Sequence, residues 1–144
     1  MAKNLGDTVD LQALMAIHEA KANAYFALID FHASRAEGEQ LLALARRAGD
    51  AVKEGSALAG MGFASCRAHD FERALAEAAA AIEIATPLGA DPVVGVGRMT
   101  TAMVHAATER LDAAKTGFRE AFTISRAAGA RPPEVFSLGF IALL

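Results

Sequence analysis

The residues whose types could support chemistry are one cysteine, four histidines and two glycine pairs. His18-Glu19 opens like the H-E-x-x-H of zinc hydrolases, in which two imidazoles one helical turn apart hold the metal. Ala22 stands where the second imidazole must be, so the two read as solvent-facing side chains. Cys66 has His69 one helical turn away, a spacing that could lower a thiol pKa. Read without that pairing, it is a small apolar residue. His32, His69 and His105 fall in different segments, and His69-Asp70 fits a turn before a helix. Glu37 and Glu39 are two apart, so on a helix they diverge and read as solvated. Gly60-Met61-Gly62 and Gly95-Val96-Gly97 complete neither G-x-G-x-x-G nor G-x-x-x-x-G-K, and neither follows a strand, so neither reads as a phosphate loop. The expectation is no catalytic residue, no cofactor, no metal and no enzyme.

Composition narrows the classes further. The 144 residues are enough for one domain with a core, and 53% hydrophobic against 22% charged excludes a solvated disordered chain. Aromatics are 6% and there is no Trp, so Ala, Leu, Ile, Met and a few Phe must build the core. A net charge of −3 gives no basic footprint for nucleic acid. A single cysteine cannot form an internal disulfide and fits a reducing, cytoplasmic setting. The longest apolar run, at the C-terminus, falls far short of the roughly 20 residues that span a bilayer, and no signal-peptide run opens the chain.

These residues must be positioned by helices. Asp7 or Thr8 is expected to cap a helix running to about Asp30, with a break placed either near Asp30 or nearer Glu37. Phe31–Gly49, Phe71–Gly89 and Leu111–Gly129 then share one frame at 40-residue spacing: an apolar opening, a small residue (Ser34, Ala74, Ala114), an apolar stripe and a closing glycine. Between them, Ala51–Arg67 and the stretch from Asp91-Pro92 to about Thr108 read as helices, with Asp50 and Asp91 as caps and Gly55, Gly60, Gly62, Gly95 and Gly97 as points of close backbone approach. Pro87 should end its helix near Ala85 or Thr86. Pro133–Leu144 reads as the first helix of a fourth unit whose partner helix does not follow. Two readings meet that: a piece of a longer protein, or a last helix that packs on a second molecule.

Laid out this way, the chain resembles the tetratricopeptide-repeat family over about residues 12–144. The residues that carry the resemblance are the small ones at the helix crossings: Gly62, Ala74 and Ala81 in the middle unit, Ala102, Ala114 and Ala121 in the next, and Ala22, Ser34 and Leu41 in the first. Phe71 and Leu111 open second helices as the family's aromatic or leucine does. The unit departs from the usual length of about 34 residues, and Leu41 is bulky where alanine is expected. The 40-residue spacing and the Ala43–Asp50 ending resemble the arrays of large bacterial regulators. The resemblance implies an all-α fold of antiparallel helix pairs stacked as a right-handed solenoid: about seven helices, in units 12–49, 51–89 and 92–129 plus one unpaired helix at 133–144, all in a single domain.

It also implies a non-enzymatic interaction module whose concave face is lined by the first helix of each unit. That face is expected to hold Asn23, Phe26, Ala59, Phe63, Arg67, Arg98, Met99 and Met103, with Glu19 beside them. Mostly apolar, it suits an apolar helix or extended segment of a partner protein, or a neighbouring domain of the parent chain, with no direct role for nucleic acid or membrane. The alternative is a homodimer formed through Phe136, Phe140, Ile141 and Leu144 of the last helix.

Overall fold

A computed structural model describes the backbone of residues 5–143 and the side-chain surroundings of 10–131, 137 and 139–143. The described residues form seven α-helices and no strand: α1 (Leu5–Ala27), α2 (Phe31–Ala48), α3 (Ala51–Arg67), α4 (Phe71–Ala85), α5 (Asp91–Ala107), α6 (Leu111–Ala127) and α7 (Arg131–Leu143). The starts of α2, α4 and α6 are 40 residues apart, and so are those of α3, α5 and α7. Each helix packs on the next, so the chain is an all-α array of consecutive helix pairs. Facing residues fix the pairs as antiparallel. Gly62, late in α3, meets Ala74 and Ala78, early in α4, whereas Gly55, early in α3, meets Ala81 and Ile84.

The period is written most plainly in the turns. Every helix from α1 to α6 closes on a left-handed residue, by way of a short 3₁₀ turn (Thr86–Leu88) after α4. Second helices end at Gly49, Gly89 and Gly129, with φ of 66°, 62° and 67°. First helices end at Ile29, His69 and Glu109, with φ of 62°, 63° and 61°. The same pair of backbone bonds recurs at each: after α1, Ile29 N–H donates to Phe26 O and Asp30 N–H to Tyr25 O, which closes the helix carbonyls. This turn ends α1 at Ala27 rather than at Asp30, and the break falls before Phe31, not near Glu37. Asp30, Asp50 and Asp70 then accept from the backbone N–H of Ala33, Lys53 and Arg73 and cap α2, α3 and α4.

Two expected caps are corrected. Asp7 and Thr8 lie inside α1, which already begins at Leu5. Asp91 is the first residue of α5 rather than its cap; Ala90 takes that place and has no side chain to offer. Pro87 does stop α4, at Ala85.

Small residues set the distance between helices. Ala74, Ala78, Ala81, Ala102, Ala114 and Ala121 are all fully buried. A Cβ at Gly62 would lie 3.1 Å from Ala78 N, and one at Gly97 would lie 2.7 Å from Ile82 Cγ1. Gly38 is buried because Met61 fills the space of its missing side chain, with Cγ 2.6 Å from where a Cβ would be. Leu41 joins Met15, Leu44, Ala45 and Ala57 in the first core cluster. Gly60 breaks the pattern: a Cβ there meets nothing within 4 Å.

Candidate binding groove

Gly60 opens onto a cavity of about 380 Å³ between α1, α3 and α5. Asn23 and Phe26 line it from α1, Ala59, Gly60 and Phe63 from α3, and Val93 and Val96 from α5. Ser34, Gly38 and Leu41 of α2 are its floor. The repeat register explains why there is room. At the next junction the positions of Ala59, Gly60 and Gly38 hold Met99, Thr100 and Ala78, and Met99 and Thr100 are buried there at 2% and 0% exposure. Small residues leave the first junction open, and larger ones close the second.

The lining is largely apolar, and the polar groups near it are spent within the chain. Ser34 Oγ donates to Ala22 O at 2.9 Å. Glu19 Oε2 lies 2.5 Å from Lys53 Nζ. The aromatic wall is shared between units: Phe26 stacks on Phe63 at 4.9 Å between centroids and meets Phe31 edge-on at 5.2 Å. The Arg67 guanidinium sits over the Phe31 ring at 5.6 Å, a cation–π contact at the end of this wall.

Of the residues expected on the concave face, Asn23, Phe26, Ala59 and Phe63 are brought together around this cavity. Arg67 lies beyond its lining, exposed and held over Phe31. Three expectations are corrected. Met99 is buried in the cluster of Ala102, Ala114, Phe118 and Ala121, because α6 and α7 pack on the side of α5 that carries it. Met103 packs against the same cluster and against Cys66 and Ala74. Arg98 points to α6, where its Nη1 is 3.8 Å from Glu120 Oε2. Among the groove residues that sequence reasoning missed, Val93 and Val96 share α5 with Met99, and an apolar stripe on both sides of a helix does not reveal which side is covered.

The C-terminal set is also redistributed. Phe140 stacks on Phe118 at 4.6 Å with the rings 3° from parallel, and Ile141 packs on the same cluster. Both thus pack within the chain and remain partly exposed. Phe136 and Leu144 lie outside the described side chains.

The titratable groups are organised for packing. Glu37 and Glu77 occupy the same place in successive units, and each is held against its neighbours. Glu37 Oε1 is 2.7 Å from Lys21 Nζ, and its Oε2 is 2.5 Å from His18 Nδ1. The Lys21 bond, then the His18 bond, hold its carboxyl below the ordinary carboxylate value. Glu37 is thus half-buried and paired rather than solvated. Glu77, 8% exposed, accepts from Arg35 Nη2 at 2.6 Å and from Ser65 Oγ at 3.2 Å. Burial opposes the charge on Arg35, but the bonds to Glu77 and Glu39 outweigh it and leave its pKa raised. Burial also pushes the Cys66 thiol up, against a smaller lowering by Arg67. That thiol is buried and packs with Ala74 and Val104. His69, exposed, lies against Phe71. Among the described residues no cluster of His, Cys, Asp and Glu has a metal-binding arrangement, and no helix is long and apolar enough to cross a membrane. Comparison with protein-family models and with curated proteins returns no match for this chain.

Proposed function

We propose that the chain is a non-enzymatic interaction module, a tetratricopeptide-like array serving as the sensory or regulatory part of a bacterial cytoplasmic regulator. Its groove receives an apolar helix or extended segment from a partner protein or a neighbouring domain. The observation that carries this reading is the groove at the α1–α3–α5 junction, whose walls are apolar and whose charged neighbours Glu19 and Lys53 neutralise each other. Such a surface rewards buried apolar area and offers a charged ligand no unpaired counter-ion. The rigid stack of helices supplies a preformed site, so little ordering cost is paid on binding.

Gly60→Trp is the direct test. The position is open, so a large side chain fills the groove without displacing the core. Peptides selected by display on the wild-type chain are expected to lose binding to Gly60→Trp by at least about tenfold, a loss of about 1.4 kcal/mol. The helical circular dichroism should stay unchanged. Equal binding to both proteins would remove the groove as the site.

A further inference from the structure

First helices of successive units are not equally close. α3 packs directly on α5, whereas the backbones of α1 and α3 scarcely meet. Side chains reach across that gap at its two ends. At one, Glu19 Oε2 lies 2.5 Å from Lys53 Nζ. At the other, Phe26 stacks on Phe63 at 4.9 Å between centroids. Asn23, Ala59 and Gly60, which line the groove, fall between these two contacts along the helices.

The repeat register shows the same junction closed. One unit on, the counterparts of Glu19 and Lys53 are Ala59 and Val93, and Val93 packs against the cluster of Leu58, Ala59 and Ala81. Its Cγ1 lies 3.5 Å from where a Cβ on Gly55 would be, in contact with α3 itself. The counterparts of Phe26 and Phe63 are Cys66 and Met103, and Met103 packs against the cluster of Cys66, Ala74 and Val104. At both ends the bridging residues of the first junction are longer or bulkier than those that let α3 and α5 meet. Stability does not account for the ion pair. Glu19 and Lys53 are 38% and 33% exposed, and pairs so exposed contribute little.

We infer that the Glu19–Lys53 pair and the Phe26–Phe63 stack are spacers, whose length holds α1 off α3 and keeps the groove open. Without them α1 settles onto α3 as α5 does, and the space between is lost. Glu19 and Lys53 are thus positioning residues that set the width of the site. The spacing is a property of the free chain; only its consequence for binding rests on the function proposed for the groove.

Replacing the pair by its register counterparts, Glu19→Ala with Lys53→Val, tests this in the full chain. Spin labels at Ala24→Cys in α1 and Thr123→Cys in α6, both exposed positions, report how far α1 stands from the rest of the array, since the native Cys66 is buried. The distance is expected to shorten as α1 approaches the roughly 8–10 Å separation of packed helices. Binding of the display-selected peptides should fall by at least about tenfold, with an unchanged helical spectrum. Phe26→Ala with Phe63→Met acts from the other end and should shorten the distance as well. Glu19→Gln with Lys53→Met keeps both lengths without the charges, and should keep the wild-type distance and affinity. An unchanged distance in either shortened variant, or the same shortening in the long neutral one, would overturn the inference. A shortened distance with unchanged peptide binding would instead remove the groove as the binding site and leave the spacing established.

Discussion

The α1–α4 half and the α5–α7 half share one backbone period and are held together by different forces. In the first half, buried or half-buried ion pairs join the helices: His18 and Lys21 to Glu37, and Arg35 to Glu77. Aspartates cap α2, α3 and α4. In the second half the one ion pair among the described residues, Arg98–Glu120, is about half exposed, and such pairs contribute little. The caps become Ala90 and Arg110, which make no side-chain bond. Phe118 and Phe140 stack where the earlier units have Gly38 and Ala78 at the Phe118 position. Three buried hydroxyls, on Thr100, Ser125 and Ser137, find no hydrogen-bond partner among the described residues. One fold therefore tolerates both polar and apolar seams, provided each seam is internally consistent.

Breaking the apolar seam should cost most. Phe118 is fully buried, and Phe118→Ala leaves a cavity against Phe140, so a loss of about 3–5 kcal/mol in urea unfolding is expected. A loss below about 1 kcal/mol would mean that α7 collapses into the space. Breaking the polar seam comes next. Arg35→Ala strands a nearly buried carboxylate and should cost about 3 kcal/mol, whereas replacing Arg35 and Glu77 together with methionine should cost far less. If the double replacement is as damaging as the single one, the pair contributes through packing, not charge. The smallest effect sharpens the contrast between the halves. Ser125→Ala installs the residue found at positions 45 and 85 and removes an unpaired buried hydroxyl, so stability should rise by about 1 kcal/mol. A fall in stability would show that Ser125 Oγ has a useful partner in solution.

Much of this was legible in the chain itself. Helix order, the 40-residue phase, the closing glycines and the stop at Pro87 follow from local rules, because each depends on residues close in sequence. The burial of Ala74, Ala81, Ala114 and Ala121 was legible for the same reason, as repeated small residues on one helical face. The groove was only half legible. Asn23, Phe26, Ala59 and Phe63 do line one cavity, but α5 is apolar on two sides, and only the packing of α6 and α7 decides that Met99 is covered while Val93 and Val96 are left facing the cavity. Glu37 looked solvated because its partners lie 16 and 19 residues away on α1, beyond any local rule. Ile29 was hidden more deeply. A β-branched residue is a poor choice for a left-handed turn, and only the structure shows that the turn at 29, like those at 69 and 109, is imposed by the repeat.

Those six equivalent turns carry one more consequence. Connectors of the same closing geometry hold no information about which unit follows which; any unit could be joined to any other through them. The order of the array must instead be written in the side chains that meet between units: Met61 into the gap at Gly38, Ile82 into the gap at Gly97, and Arg35 on Glu77. A chain with its units transposed would keep every turn and every helix and lose its fit, so sequence order here is enforced by the volumes and charges that meet between units.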